Sequence, residues 1–420
     1  MNTRMKRDRF NIGLYGLDAN KRTEKHIREI AECGLDFVLT TDSRPLLDLM
    51  HKYNLGVINM WFDPLPHWGG PGYGYVGRME EKFPLERYIK PAETFKDHPA
   101  IWGLSMGDEP NSVDFPYIGT VVDAVNNAYP NQFPFLNLYP NYASVAQNTE
   151  DEVKSQLGAA TYQEYIDKYC DYIPNHYISF DFYPYRGNAE TRDYNRGGRI
   201  SKFYENLRLV AESCRKTGRD LWIIIQGNHD EGGDEYAPPS VFMPINEVRF
   251  QTYSAMAFGV KTVMWWESWI FDLEGNKTEQ YDVLKQVHKE VHTIAQEYMK
   301  YRNVSSHFVG FEQYPDLKMV KQNNETSLNT GVFFDVKSDN GSPLVIGQMV
   351  SDKDNAQALM VFAADDPFDR ENRSYNITFR AGKKAISAIG GEGWIPVTKL
   401  EDGSYSVPIS SNQGILIVAG

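Results

Sequence analysis

Cysteine is scarce in this chain, with three residues among 420. Cys33, Cys170 and Cys214 are too few for a disulfide framework, and their spacing matches no metal site. Each lies in a stretch with helical periodicity, so we expect buried thiols. The sequence therefore predicts neither a bound metal nor a cofactor.

Positive charge is also in deficit. Lysine and arginine number 43 against 56 acids, which gives a net charge of -13 and an isoelectric point near 5.3. A surface that binds phosphate groups needs positive potential, so nucleic acids and anionic membranes are poor partners for this chain. Neutral or weakly charged ligands fit better. The composition makes no statement about oligomeric state.

Long apolar runs are absent. No stretch reaches the about 18 apolar residues of a membrane span, and the first seven residues, MNTRMKR, contain no apolar signal segment. We expect no membrane span. A signal removed after export would leave no trace, and we expect a periplasmic or extracellular protein, with a cytoplasmic one left open.

Aromatic residues, by contrast, are abundant. They make up 13% of the chain, with 26 tyrosines and 8 tryptophans. Flat rings stack on sugar faces, and they also fill the core of a large domain. We favour the first use, which indicates a carbohydrate partner.

Short apolar runs alternate with segments whose apolar residues recur every three or four positions. The runs span residues 10–16, 36–42, 55–62, 101–109, 134–139, 177–183, 221–226 and 260–267. The helical segments span residues 23–34, 43–53, 90–96, 117–129, 161–172, 202–216, 245–258 and 279–301. Eight strands separated by helices predict an α/β fold, a (β/α)8 TIM barrel.

The pattern changes after residue 301. Short β-like runs then follow one another, separated by turns rich in Asp, Asn and Gly, and no helical period intervenes. This pattern is typical of a small all-β sandwich. We therefore predict a catalytic barrel over residues 1–304 and a β-sandwich accessory domain over residues 305–420.

Residues 101–110, IWGLSMGDEP, form an apolar run that ends in two adjacent acids and a proline. This is the pattern of a buried strand leaving a core, and barrel enzymes keep their catalytic residues at the C-terminal strand ends. We interpret Glu109 as the proton donor of a glycoside hydrolase. Because side chains alternate along a strand, Asp108 should point away from Glu109 unless the strand end is distorted.

The ends of the other strands should ring the same pocket. A single acid or tryptophan at a strand end is more often a cap or a lid than a catalyst, but their accumulation at one rim indicates a site. The predicted catalytic residues are Glu109, Glu267, Asp181 and Asp108. The predicted substrate-binding residues are Tyr15, Asp42, Trp61, Asn137, Tyr139, Tyr183, Gln226, His229, Trp265 and Trp266.

The chain resembles the bacterial (β/α)8 glycoside hydrolases of the large clan A type. In that clan the acid/base follows an Asn at the end of strand four, often as Asn-Glu-Pro, and Asp108-Glu109-Pro110 corresponds to it. Residues 246–261 resemble the helix that precedes strand eight in such families, and the C-terminal β-module is similar to their accessory domains. The resemblance implies a hydrolase that cleaves O-glycosidic bonds in a poly- or oligosaccharide.

The sequence departs from the clan at strand seven, where retaining members carry a nucleophilic Glu. Here the strand ends in Gln226, and an amide cannot form the glycosyl ester. The nucleophile then comes from elsewhere, with Asp181 and Glu267 the leading candidates and Asp230 or Glu231 in the loop after strand seven behind them. Alternatively, Gln226 is an engineered replacement, or no protein nucleophile is used. Retention requires carboxyl groups about 5–5.5 Å apart and inversion about 6.5–9.5 Å.

Other functions stay open. Asp108-Glu109 also resembles the dyad of substrate-assisted N-acetylhexosaminidases, in which the Asp orients the 2-acetamido group of the sugar and the Glu protonates the leaving oxygen. A catalytically silent carbohydrate-binding barrel is a further alternative, motivated by Gln226. A barrel aldolase would call for a Schiff-base lysine or a metal at the rim, and the predicted strand ends contain neither.

Overall fold

The structure is a computed structural model, and it describes residues 4–60, 74–146, 152–185, 198–228, 242–266, 268–312, 314, 317–369, 371–383 and 385–420. Eight parallel strands form a closed barrel in sequence order, and the first strand pairs with the eighth. They are β1 Asn11–Tyr15, β2 Phe37–Thr40, β3 Gly56–Asn59, β4 Ile101–Asp108, β5 Phe133–Leu138, β6 Tyr177–Phe182, β7 Asp220–Gln226 and β8 Val260–Trp266. The predicted TIM barrel is confirmed.

Helices connect the strands. They are α1 Glu24–Glu32, α2 Arg44–Lys52, α3 Met79–Lys82, α4 Leu85–Thr94, α5 Phe115–Ala128, α6 Tyr162–Tyr172, α7 Arg199–Thr217, α8 Ile245–Ala257 and α9 Glu279–Tyr298. Local sequence signals begin two of them. The side chains of Ser43 and Thr161 accept hydrogen bonds from the backbone of the first turns of α2 and α6, which is the usual role of an N-cap residue.

The fourth helix differs from the prediction of residues 90–96. It starts at Leu85, so Pro91 lies inside the helix rather than in its first turn. Proline inside a helix removes a hydrogen bond and usually breaks it. Here Tyr88, Pro91 and Ala92 form the buried face of α4, and we infer that this packing outweighs the local penalty.

The barrel interior is a packed core, as expected for eight strands. Its cluster of buried side chains includes Phe37, Leu39, Ile58, Phe133, Phe135, Tyr177, Trp222, Ile224 and Met264. Met5, from the segment before β1, joins this cluster at 4% exposure, and Arg4 Nη1 donates to the carbonyl of Ile101 at the N-terminal end of β4. The N-terminal segment therefore covers that end of the barrel.

The C-terminal part contains two β-sheets whose strands pair antiparallel apart from one parallel pair, in agreement with the predicted sandwich. A seven-stranded sheet has the order β10-β9-β12-β13-β19-β15-β16, and a four-stranded sheet has the order β11-β14-β18-β17. The strands are β9 Arg302–Val309, β10 Asn324–Glu325, β11 Phe333–Ser338, β12 Leu344–Val350, β13 Gln357–Ala363, β14 Ser374–Ala381, β15 Ile386–Gly390, β16 Gly393–Ile395, β17 Thr398–Lys399, β18 Tyr405–Ser410 and β19 Gly414–Ala419. A short helix, α10 Lys318–Gln322, precedes β10.

Helix α8 joins the two parts of the molecule. Every residue from Glu247 to Ala257 is buried, because the barrel covers one side of the helix and β12 and β13 cover the other. A helix buried on all sides has no amphipathic stripe. A Cβ atom on Gly347 of β12 would lie 2.2 Å from the carbonyl oxygen of Ala257, so glycine permits this close approach.

The predicted division between residues 304 and 305 falls within β9, which pairs with β12 in the seven-stranded sheet. The last barrel helix, α9, ends at Tyr298. In the part of the chain that the structure describes, no helix is both long enough and apolar enough to cross a membrane.

Candidate active site

The end of β4 is distorted. Ser105 pairs with Phe135 and Asp108 with Asn137, so β4 uses three residue steps where β5 uses two. One extra residue is a β-bulge, and it turns the side chains that follow it. Gly107 at φ +121° and Glu109 at φ +46° accommodate the bend. Because of this distortion, the adjacent acids Asp108 and Glu109 both belong to one cluster of side chains.

Asp108 is held by hydrogen bonds to both of its carboxyl oxygens. Tyr15 at the end of β1 donates its hydroxyl to Oδ2 at 2.9 Å, and Asn137 of β5 donates Nδ2 to Oδ1 at 3.2 Å. Burial raises the pKa of Asp108 to about 6, and these two hydrogen bonds act in the opposite direction. The carboxyl group thus lies between β1 and β5.

Asp181 of β6 is the second carboxyl group of the cluster and is only 3% exposed. It accepts from the same Nδ2 atom of Asn137, at 2.9 Å. Burial, followed by the negative charge of Asp108, raises the pKa of Asp181 to about 7. A single amide nitrogen therefore contacts two carboxyl groups from different strands.

Glu109 completes the cluster. Its side chain forms a hydrogen bond with Asp181 that lowers the pKa of Asp181 against the effect of burial. Two carboxyl groups can share a hydrogen bond only when one of them is protonated. This interaction brings together the carboxyl groups at the ends of β4 and β6.

Aromatic rings surround the acids. Tyr15 contacts Trp266 of β8 edge to face, with ring centroids 4.7 Å apart, and Tyr183 lies 6.4 Å from the same ring. Burial first, and then the neighbouring carboxyl groups, raise the pKa of the hydroxyls of Tyr15, Tyr139 and Tyr183. These phenols therefore stay neutral at physiological pH.

Gln226 at the end of β7 is 2% exposed, and its Oε1 atom accepts from the backbone nitrogen of Tyr185 at 2.9 Å. Its Nε2 atom is buried and has no hydrogen-bond partner among the described residues. The side chain thus connects β7 to the segment after β6. The substrate-binding role that the sequence predicts for Gln226 stays a prediction.

Trp265 does not reach the cluster, so the prediction that it binds substrate is wrong. Its ring is 1% exposed, and its Nε1 atom donates to His288 Nε2 of α9 at 2.8 Å, outside the barrel wall. The reason is the alternation of side chains along β8: Met264 and Trp266 belong to the barrel interior, and Trp265 between them faces the helices.

The remaining predicted residues have different outcomes. Asp42 lies after β2 and accepts from Asn59 Nδ2 at 2.8 Å. The described residues exclude Trp61, His229, Asp230, Glu231 and Glu267, so their predicted roles stay predictions.

Ser179 is a member of the cluster that the sequence analysis missed. It is fully buried, and its hydroxyl donates to Asn137 Oδ1 at 2.9 Å. A signal was available, because Ser179 precedes Asp181 by two positions and therefore shares its face of β6. Serine inside an otherwise apolar strand is the kind of residue that this rule selects.

Two of the acids, Asp108 and Asp181, are stabilised without a cation from the part of the chain that the structure describes. Neither Asp108 nor Asp181 forms an ion pair with a described lysine, arginine or histidine. Carboxyl groups that are buried without a cation are stabilised either by hydrogen bonds or by protonation. Asn137 supplies such a hydrogen bond to each of them.

No family model and no curated protein matches this chain. Solved structures that are similar include three glycoside hydrolases. The Lactobacillus rhamnosus beta-glucuronidase has 13% identity and a TM-score of 0.46 over 67% of this chain and 50% of its own length. The GH51 arabinofuranosidase from Xanthomonas axonopodis pv. citri has 9% identity and a TM-score of 0.45 over 99% and 97%.

The third is the Thermobacillus composti GH10 xylanase, with 13% identity and a TM-score of 0.39 over 66% of this chain and 97% of its own. This chain therefore spans about half the length of the glucuronidase and nearly all of the other two. Likenesses this low carry no assignment of activity. The strand pairing establishes the barrel, and the acid cluster is the basis for an assignment of activity.

Proposed function

We propose that this chain is an O-glycoside hydrolase acting on a poly- or oligosaccharide, with Glu109 as general acid and base and Asp181 as its carboxylate partner. The observation that carries the proposal is the cluster of acids at one mouth of the barrel, where Asn137 donates to both Asp108 and Asp181 and Glu109 interacts with Asp181. A protonated acid beside an ionisable one is what glycosidic cleavage requires. Rings of Tyr15, Tyr183 and Trp266 beside the pair support a sugar as the substrate.

We further propose that Asp181 is a nucleophile and that the reaction retains anomeric configuration. Carboxyl groups within hydrogen-bond contact are nearer to the separation of about 5–5.5 Å in retaining enzymes than to the about 6.5–9.5 Å of inverting ones. A sugar that enters between them would replace their shared hydrogen bond. Glu109 can then point its proton at the glycosidic oxygen, and Asp181 can face the anomeric carbon.

The reaction takes two steps. Glu109 gives its proton to the leaving oxygen while an Asp181 oxygen forms an ester with the anomeric carbon and the glycosidic bond breaks. The Glu109 carboxylate then takes a proton from water, the water oxygen attacks the anomeric carbon, and Asp181 leaves as a carboxylate. Glu109 ends protonated and the enzyme is regenerated.

The test uses wild type, Glu109→Gln and Asp181→Asn on 4-nitrophenyl and 2,4-dinitrophenyl glycosides of neutral and N-acetylated sugars, followed by oligosaccharides. Loss of the general acid should lower kcat/KM on 4-nitrophenyl substrates by about 10²–10⁴. The loss should be smaller with the dinitrophenyl leaving group, which departs without a proton. Asp181→Asn should lose activity on both.

Azide separates the two roles. Added azide should restore turnover to Asp181→Gly and yield a glycosyl azide of inverted configuration, whereas Glu109→Ala should yield an azide of retained configuration. If Glu109→Gln hydrolyses a substrate with a poor leaving group as fast as wild type does, the proposal is contradicted. Wild type that binds glycans saturably and turns over none of these substrates indicates the silent binding barrel.

The substrate-assisted alternative makes a different prediction. In that scheme Asp108 orients a 2-acetamido group, although its two carboxyl oxygens already accept from Tyr15 and Asn137. Activity confined to N-acetylated sugars, with no azide rescue of Asp181→Gly, would favour it. Activity on sugars that lack the acetamido group excludes it.

A further inference from the structure

The side-chain amide of Asn137 has all of its polar atoms engaged. Nδ2 donates to Asp108 at 3.2 Å and to Asp181 at 2.9 Å, and Oδ1 accepts from Ser179 at 2.9 Å. The residue is 1% exposed. An amide carries two N–H donors, so each carboxyl group receives one of them. No donor of this amide is left for a sugar, in contrast to the substrate-binding role predicted from the sequence.

The two acids decide which way this amide faces, and Ser179 supports that orientation. A half-turn of the amide would point Oδ1 at the oxygens of Asp108 and Asp181, where oxygen faces oxygen, and would turn the NH₂ group toward Ser179. The acids therefore select the orientation in which the NH₂ group faces them, and the serine hydroxyl, which can donate or accept, completes it by donating to Oδ1. Ser179 is itself fully buried, so water does not compete for the hydroxyl.

We infer that Asn137, supported by Ser179, is a positioning residue that gives Asp108 and Asp181 one N–H donor each, so that these two acids do not share a proton with each other. This inference rests on the proposed function. Without the amide donor, Asp108 and Asp181 would face each other as two buried carboxylates, and the simplest relief is a proton shared between them. That proton would occupy the nucleophile.

Other titratable groups also interact with Asp181 and could affect its protonation. Those that interact with it from the neighbouring strands and from α6 are Tyr15, Asp108, Glu109, Tyr139, Tyr162 and Tyr183. The four tyrosines have pKa values raised by burial, so they stay neutral between pH 5 and pH 9. Titration of Asp108 and Asp181 in that range is therefore not confused with titration of these tyrosines.

The experiment measures carboxyl protonation in the full chain by infrared difference spectroscopy. The carbonyl stretch of protonated carboxyl groups is followed from pH 5 to pH 9, and subtraction of Asp108→Asn and Asp181→Asn spectra assigns the bands. Most of the 56 acids are ionised at the start of this range, so the buried groups stand out. Asn137→Ala and Ser179→Ala are the test variants.

Asn175→Ala is the matched control. Asn175 is 3% exposed, its Nδ2 atom donates to the hydroxyls of Tyr169 and Tyr177, and it precedes the opposite end of β6. Loss of a hydrogen bond to a charged group in Asn137→Ala should shift the Asp108 and Asp181 titrations upward by about one to two pH units. Ser179→Ala should shift them the same way by less, and Asn175→Ala should leave them in place.

Unchanged titrations in both test variants, or an equal shift in Asn175→Ala, overturn the inference. Ser179→Ala removes a single oxygen, so it remains informative if Asn137→Ala does not fold. Where glycosidase activity is found, the acidic limb of the kcat/KM profile should move with the infrared titration. If the titrations shift but the wild-type chain turns over no substrate, the proposed function is refuted and the positioning role of Asn137 stands. If the wild-type chain is active but the titrations do not shift, the proposed function stands and the positioning role is refuted.

Discussion

The ring of Phe368 in the C-terminal sandwich meets the ring of Tyr185 in the barrel edge to face, with centroids 5.6 Å apart. Tyr185 follows β6, and its backbone nitrogen donates to Gln226 at the end of β7. The contact therefore connects the sandwich to the C-terminal rim of the barrel, where the acid cluster lies. The carbonyl of Asp369 accepts from Asn246 at the start of α8 and reinforces it.

Truncation of this ring should weaken both the domain contact and the site. Because Phe368 is only half-buried, we expect Phe368→Ala to lower the free energy of unfolding by about 1–3 kcal/mol, below the usual cost for a core phenylalanine. Urea unfolding measures the change. Phe334, which is 41% exposed on β11, is the control, and Phe334→Ala should change stability by less than about 0.5 kcal/mol. Equal effects of the two would contradict the structural role of the contact.

The buried acids should make stability fall as pH rises. In the folded state the pKa values of Asp108 and Asp181 are raised to about 6 and about 7, above an unfolded value of about 3.9. Between these values the folded state binds more protons than the unfolded state, so the free energy of unfolding decreases with pH by up to about 1.4 kcal/mol per unit for one proton. Stability from this source is present below pH 4 and lost above pH 7.

Asp181→Asn isolates this contribution, because the chain has other buried acids. From pH 5 to pH 8 the free energy of unfolding of wild type should fall relative to that of the variant. Urea unfolding at both pH values checks it. A difference that is independent of pH would show that Asp181 does not titrate in this range.

Backbone strain at Glu109 should be relieved by asparagine. A non-glycine residue at φ +46° is in the left-handed region, which costs about 1–2 kcal/mol for most residues and less for asparagine. Both Glu109→Asn and Glu109→Gln remove the carboxyl group, so comparison of the two isolates the backbone term. We expect the asparagine variant to be more stable by about 0.5–1 kcal/mol and equally inactive. A glutamine variant that is at least as stable would refute stored strain at this position.

Gln226→Glu tests whether strand seven has lost a nucleophile. If the amide were a replacement for a catalytic glutamate, the acid should raise kcat/KM by orders of magnitude. We expect no gain, because Oε1 already accepts from the backbone nitrogen of Tyr185, and the new oxygen would replace a buried nitrogen. We also expect lower stability at pH 8 than at pH 5, since a buried carboxylate is penalised when ionised. Gln226→Met is the uncharged control of similar size.

The architecture of this protein was determined largely by local pattern. Eight apolar runs with helices between them are enough to predict the barrel. The short β-like runs after residue 301 are enough to predict the sandwich. The acids of residues 108–109 could also be predicted, because an apolar strand that ends in charge marks the mouth of a barrel. These inferences need only the periods of strand and helix, which are properties of neighbouring residues.

Tertiary structure decided which side chains meet. The bulge between Ser105 and Asp108 depends on pairing with β5, and a shift of one residue turns a side chain to the opposite face. The same alternation puts Trp266 in the barrel and Trp265 against α9. No local period contains the register of a strand against its neighbour, so the shared amide of Asn137 became visible only once three strands had been brought together.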